Sequence, residues 1–225
     1  SEFTGKSTSG AEYGIRANDS YYLTIENNVI EGFKEYGIYF QSSPYSKVNH
    51  NHLVGADAGE FKRAIHNSAS SQYAEVNYNH IELLSTQYAH YVDQYGIEVH
   101  DSEIIGDSIY VYINNRNSDG RGIRADRSTI RDNYIRIEDH STSGGISYAI
   151  ESYNNSSSRG LIENNTIEAT RESYGIYANY ADIENNNLSN WSSNNNDEWA
   201  IGYGEYNVIR HNTITDFRDG IRVNG

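Results

Sequence analysis

Apolar residues along this chain follow no helical period. They alternate with polar ones over short stretches, as in Ile15/Ala17, Ile97/Val99, Ile123/Ala125 and Ile221/Val223. That is the mark of strands whose successive side chains face opposite sides. The strands recur. One motif is Tyr-Gly-Ile or a variant: Tyr13-Gly14-Ile15, Tyr36-Gly37-Ile38, Arg63-Ala64-Ile65, Tyr95-Gly96-Ile97, Arg121-Gly122-Ile123, Tyr148-Ala149-Ile150, Tyr174-Gly175-Ile176, Trp199-Ala200-Ile201 and Asp219-Gly220-Ile221. Successive isoleucines stand 23, 27, 32, 26, 27, 26, 25 and 20 residues apart, about 26 on average. Between them lies a second motif, Ile-x-x-Asn-x-Ile, seen as IENNVI (25–30), VNHNHL (48–53), VNYNHI (76–81), IIGDSI (104–109), IRDNYI (130–135), IENNTI (162–167), IENNNL (183–188) and IRHNTI (209–214).

Such a period describes a unit that buries its apolar side only against its neighbours. Short strands in register predict an all-β fold, a parallel β-helix (solenoid) of about eight rungs with ~26 residues per rung, roughly 38 Å tall at ~4.8 Å spacing. The nine isoleucines of the first motif then stack inward in one column. The asparagine of the second motif (Asn28, Asn51, Asn79, Asn133, Asn165, Asn186 and Asn212, with Asp107 in the fourth copy) predicts an inward amide ladder. Each member satisfies turn backbone on adjacent rungs.

The alternation of YGIY and IENNTI, from Tyr13 to Gly225, resembles the pectin-lyase-like superfamily, in particular the simple repeats of surface proteins and tailspikes. The resemblance implies right-handed coiling and frequent carbohydrate activity by lyases, epimerases, glycosidases and viral tailspikes. It does not choose among them, because function resides in sites grafted onto folds. Neither the Asp-Pro-His signature of alginate epimerases nor the clustered aspartates of pectate lyases is present. Residues 1–12 match no repeat and read as an N-terminal extension; residues 13–225 read as a single β-helix domain.

Composition narrows the partners. With 17 basic against 31 acidic residues and a net charge of −14, no nucleic-acid partner is expected, because phosphate binding draws on Lys and Arg. No apolar run approaches the ~18–20 residues of a membrane-spanning helix, so no membrane insertion is expected. Without Cys, disulfides and thiolate metal sites are excluded. The chain also lacks Met, which reads as a processed product or a piece of something larger. A hydrophobic fraction of 36% suits a solenoid with a thin core.

One face departs from monotony. The segments leading from each Asn-motif strand to the next Gly-Ile strand run 8, 12, 16, 14, 15, 9, 13 and 7 residues, longest towards the middle, and long loops carry function. The stretches Leu84–Gln94, Asn114–Arg121, Asp139–Ser147 and Ser189–Glu198 would wall the central rungs, with Tyr88, Tyr91 and Trp191 as faces for sugar rings. Alternation places outward, after each isoleucine, Arg16, Tyr39, His66, Glu98, Arg124, Glu151, Tyr177, Gly202 and Arg222. It also places outward the Gly or Ala before each isoleucine, which would make a flat strip.

The next outward column brings His100 beside Asp126. The candidate ligand-binding set is therefore His66, Glu98, His100, Arg124, Asp126, Glu151, Tyr39, Tyr177, Tyr91 and Trp191. Within it, Glu98, His100, Arg124 and Asp126 are the candidates for acid–base or nucleophilic sugar chemistry. The bland reading of Glu98, Arg124 and Glu151 is an exposed salt-bridge ladder.

Lys62-Arg63 resembles the basic pair of some lyases, without a matching motif around it. His50, His52 and His80 flank the Asn ladder and read as solvated strand histidines, so no metal site is assigned. The tract Asn194–Glu198 offers oxygens to Ca2+ without the spacing of a defined loop, and no cofactor is expected. The functional expectation is an extracellular, cell-surface or virion-surface module binding polysaccharide or surface glycan along a central groove. The alternatives are a stalk or filament segment stacking end to end, with copies of itself as a homo-oligomer or with neighbouring domains, and a polysaccharide lyase, epimerase or glycosidase.

Overall fold

The computed structural model describes residues 11–57, 61–68, 71–86, 93–114, 118–141, 145–171, 173–191, 199–202 and 204–222. Among them every regular element is a strand, and every sheet pairing is parallel. The strands fall into three sheets of nine, eight and eight. The first sheet holds the Gly-Ile strands (Tyr13–Asn18, Tyr36–Gln41, Gln94–His100 and their equivalents), and the Asn motif supplies one strand each to the second and third sheets. Each turn of the coil visits the three sheets in order, so a strand pairs with strands one full turn away rather than with its chain neighbours. This is a parallel β-solenoid.

The isoleucine column stands as expected. Ile15, Ile38, Ile65, Ile97, Ile123, Ile150, Ile176, Ile201 and Ile221 pair in succession across the first sheet. Those from Ile38 to Ile201 are almost wholly buried, while Ile221 is 51% exposed. Columns from the other sheets (Val48, Val76, Ile104 and Ile130; Leu53, Ile81, Ile109 and Ile135) complete a single continuous core. Each fully buried aliphatic contributes roughly 1.5–3 kcal/mol relative to exposure.

The amide ladder is also as expected. The Asn28 backbone N–H and Nδ2 both donate to Asn51 Oδ1, at 3.0 and 2.9 Å. Asn51 repeats this on Asn79, at 3.0 Å for each bond, and its Nδ2 also donates back to the Ile25 carbonyl at 2.9 Å. The pattern resumes from Asn133 through Asn165 and Asn186 to Asn212. The residue before each ladder position is left-handed, including Asn27 (φ 58°), His50 (φ 54°), Tyr78 (φ 57°) and Asp132 (φ 58°). A tyrosine in that region is unusual. Here its amide is held by the next rung, Tyr78 N–H donating to the Ile105 carbonyl at 2.9 Å.

One expectation is overturned. The Gly/Ala residues before the isoleucines do not form an outward strip, since Gly37, Ala64, Gly96, Gly122, Ala149, Gly175 and Ala200 are all buried. A Cβ on Gly37 would lie 2.6 Å from both the Ala64 carbonyl oxygen and Leu53 Cδ2. The strand therefore corners at Gly-Ile, two consecutive residues facing inward, and strict alternation fails there. Only small residues fit, because the first sheet closes against the aliphatic column of the third.

Candidate functional site

Cornering changes what the outer face of the first sheet presents. With Gly and Ile both inside, the residues on either side of them converge outside. Tyr36 and Tyr39 meet edge to face with centroids 5.1 Å apart, and Tyr148 and Tyr177 meet tilted at 5.3 Å with planes inclined 56°. The anticipated column of Arg16, Tyr39, His66, Glu98, Arg124, Glu151 and Tyr177 is joined by a second, the residues that open the repeat triplets and that alternation does not place outside: Tyr13, Tyr36, Arg63, Tyr95, Arg121, Tyr148, Tyr174 and Trp199. The available signal was the first letter of each triplet, Tyr, Arg or Trp in eight copies. Together the two columns form a seam along the axis. At its far end Trp199 is 5% exposed, and its ring occupies the space a side chain at Gly202 would need.

The centre of the seam is charged and covered. Glu98 receives Arg63, His66 Nδ1 at 3.1 Å and Arg124 at 3.5 Å, with its side chain 8% exposed. Glu151 takes Arg121 Nε at 3.1 Å and Arg124 Nε at 3.7 Å, and accepts the Tyr153 hydroxyl at 2.9 Å. Arg121 also meets Asp119 at 3.0 Å. The register Glu98–Arg124–Glu151 is the predicted ladder, but it is not an exposed one, because aromatic rings and guanidinium groups roof both carboxylates. Arginine packs over Tyr36, Phe61, Tyr95 and Tyr148 at 4.1–5.7 Å.

Burial pushes the Glu98 carboxyl up, yet the His66 hydrogen bond and the charges of Arg63, His66 and Arg124 outweigh it and hold it below the ordinary range. Asp126 behaves alike: burial raises it, and the His100 ring at 3.1 Å wins, lowering it. Asp93, at the root of a central loop, is held up by burial and by the charge of Asp119.

The structure thus brings His66, Glu98, Arg124 and Glu151 into one network flanked by Tyr39 and Tyr177, with His100 and Asp126 paired in the adjoining outward column. Trp191 lies elsewhere; it is 64% exposed and stacks with Arg136 of the third sheet at 5.5 Å. Tyr91 and Tyr88 fall outside the described residues, as does the tract 194–198. Loop roots do reach the seam: the Ile146 carbonyl accepts from Arg121 at 3.3 Å, and Ile146 N–H donates to Asp119 at 2.7 Å. Lys62 is fully buried while Arg63 faces out, so this basic pair does not act on one surface.

A second aromatic run climbs the turn between the first two sheets, with Tyr22, Tyr45 and Tyr73 stacked at 5.4 and 5.3 Å. It ends at a groove of about 540 Å³ that includes Asp101, Arg127, Glu75 and Glu103. These rings are near parallel and spend their faces on each other, as Tyr13 and Tyr36 of the seam also do at 5.1 Å.

Residues 2–81 match the family model described as right handed beta helix region. No curated protein and no solved structure matches the chain. Together, the match over residues 2–81 and the parallel solenoid through residue 222 make this chain similar to right-handed β-helix proteins of the pectin-lyase-like kind.

Proposed function

We propose that this chain is an extracellular or virion-surface β-helix module that recognises a polysaccharide along the seam of the first sheet. The observation that carries this reading is the run of converging aromatic, guanidinium and carboxylate groups from Tyr13 to Trp199. A linear polymer is the ligand whose shape matches a seam that repeats rung by rung. Rings supply apolar faces, and the charged groups supply fixed hydrogen-bonding partners. Arginines gather here although the chain carries a net charge of −14, which suits hydroxyl- or carboxylate-bearing sugars.

A general acid for glycoside cleavage needs a carboxyl raised towards neutrality, whereas Glu98 is ionised and encircled by cations. A glycan array probed with the whole chain, with a turnover assay on each hit, tests the reading. Retention by extended polysaccharides without product supports a binding module, product formation moves it to the enzyme class, and an array without retention overturns it.

A further inference from the structure

The third sheet carries a group unconnected with the seam. His52 and His80 are direct partners on adjacent parallel strands, and Glu82 lies two residues beyond His80 on the same face. The His52 and His80 rings meet at 4.9 Å, and His80 Nε2 stands 2.9 Å from Glu82 Oε1. One nitrogen or oxygen from each of the three residues lies within 4.8 Å of the others. His52 Nε2 is shielded from solvent and has no hydrogen-bond partner, although a shielded polar atom normally has one. We infer that His52, His80 and Glu82 form a binding site for a first-row divalent transition metal of the zinc class.

Strand geometry explains why the three converge. Side chains at i and i+2 share a face, and directly paired residues on neighbouring strands stand about 4.8 Å apart. Both histidines follow the Asn ladder by one residue, so the tight turn at Asn51 and Asn79 fixes their backbone. Ligands at about 2.0–2.2 Å from a tetrahedral ion lie closer together than 4.8 Å, so binding requires the three side chains to close in by rotation. Two imidazoles and one carboxylate suit Zn2+, Co2+, Ni2+ or Cu2+ rather than Ca2+ or Mg2+, which favour oxygen. Three protein ligands leave a fourth position for water or an outside donor. The register stops at two histidines: Val29 precedes His52 and Ser108 follows His80 in the column.

Calorimetric titration of chelator-cleared whole chain with Zn2+, and absorbance with Co2+, test the inference. The expected result is one equivalent bound, with at least tenfold weaker binding in His52→Ala and in His80→Ala. Glu82→Gln should weaken it less, and His211→Ala on a distant rung should leave it unchanged. Zn2+ should also raise the unfolding midpoint of the wild type but not of His80→Ala, a comparison that holds even if a variant is less stable. The absence of stoichiometric uptake, or uptake unaltered in His52→Ala and His80→Ala, overturns the assignment.

Discussion

Asn79 donates both its backbone N–H and its side-chain amide to one oxygen of Asp107, at 2.6 and 2.9 Å. Asp107 is the one acidic member of the ladder, and its second oxygen has no partner. It occupies the place where an asparagine would carry its donating NH2. Burial drives this carboxyl well above its ordinary range, against the bonds from Asn79. A protonated acid can stand in for the amide; a carboxylate cannot.

The pH sign follows. In the unfolded chain the group ionises near pH 3.9, whereas the folded chain holds its proton to higher pH. The stability it contributes is therefore complete below about pH 4 and is lost as pH rises. Asp107→Asn should stabilise at pH 7 by about 1–3 kcal/mol, with the advantage shrinking towards pH 4. Urea unfolding at both pH values checks this; an advantage that grows in acid contradicts it.

Mid-stack, Asn133 Oδ1 accepts the Asp107 N–H at 2.8 Å, and its Nδ2 donates to Ile104 and Asn165 at 3.2 and 3.0 Å. Asn133→Ala strands the buried Asp107 N–H and Ile104 carbonyl of the neighbouring rung and should cost about 1–3 kcal/mol. An unchanged denaturation midpoint would count against the ladder as a source of stability.

At Gly122 a Cβ would meet Ile135 Cγ2 at 2.5 Å and the Ala149 carbonyl oxygen at 2.6 Å. Gly122→Val should therefore destabilise by about 1–3 kcal/mol through overpacking. On an outward strip the same change would cost almost nothing, so the thermal midpoint separates the two geometries.

Much of the fold was legible because a solenoid repeats its instructions. The Ile15–Ile221 column, the strand breaks and the amide ladder each recur eight or nine times, so the pattern rises above local noise. The corner at Gly-Ile was not legible. Alternation assigns Gly37 outward, and only the third-sheet Leu53 packed above it shows why it faces in. The same error hid the Tyr36–Trp199 column and made Glu98 look exposed. Neighbour relations within the seam, such as Glu98 beside Arg124 and His100 beside Asp126, were readable from register alone. Burial was not, because the rings that roof those groups lie in the misassigned column.

Glu98 gives a prediction of opposite pH sense. Its folded carboxyl lies below the unfolded value near 4.3. Its contribution is therefore present above about pH 4.3 and is lost as pH falls through the folded value. Glu98→Gln leaves Arg63 and Arg124 facing a neutral amide and should cost about 3 kcal/mol at pH 7. The penalty should diminish in acid. A penalty independent of pH would show that charge is not what holds this network.

The central claim is that the seam binds the glycan. The most direct measurement is the affinity of the best array hit for Tyr39→Ala/Tyr177→Ala, compared with Tyr22→Ala/Tyr45→Ala in the outer stack. Folding of each variant would be verified by its unfolding midpoint. The account predicts at least tenfold weaker binding for the seam pair and unchanged binding for the outer pair. Unchanged binding in the seam pair, or loss confined to the outer pair, would contradict it.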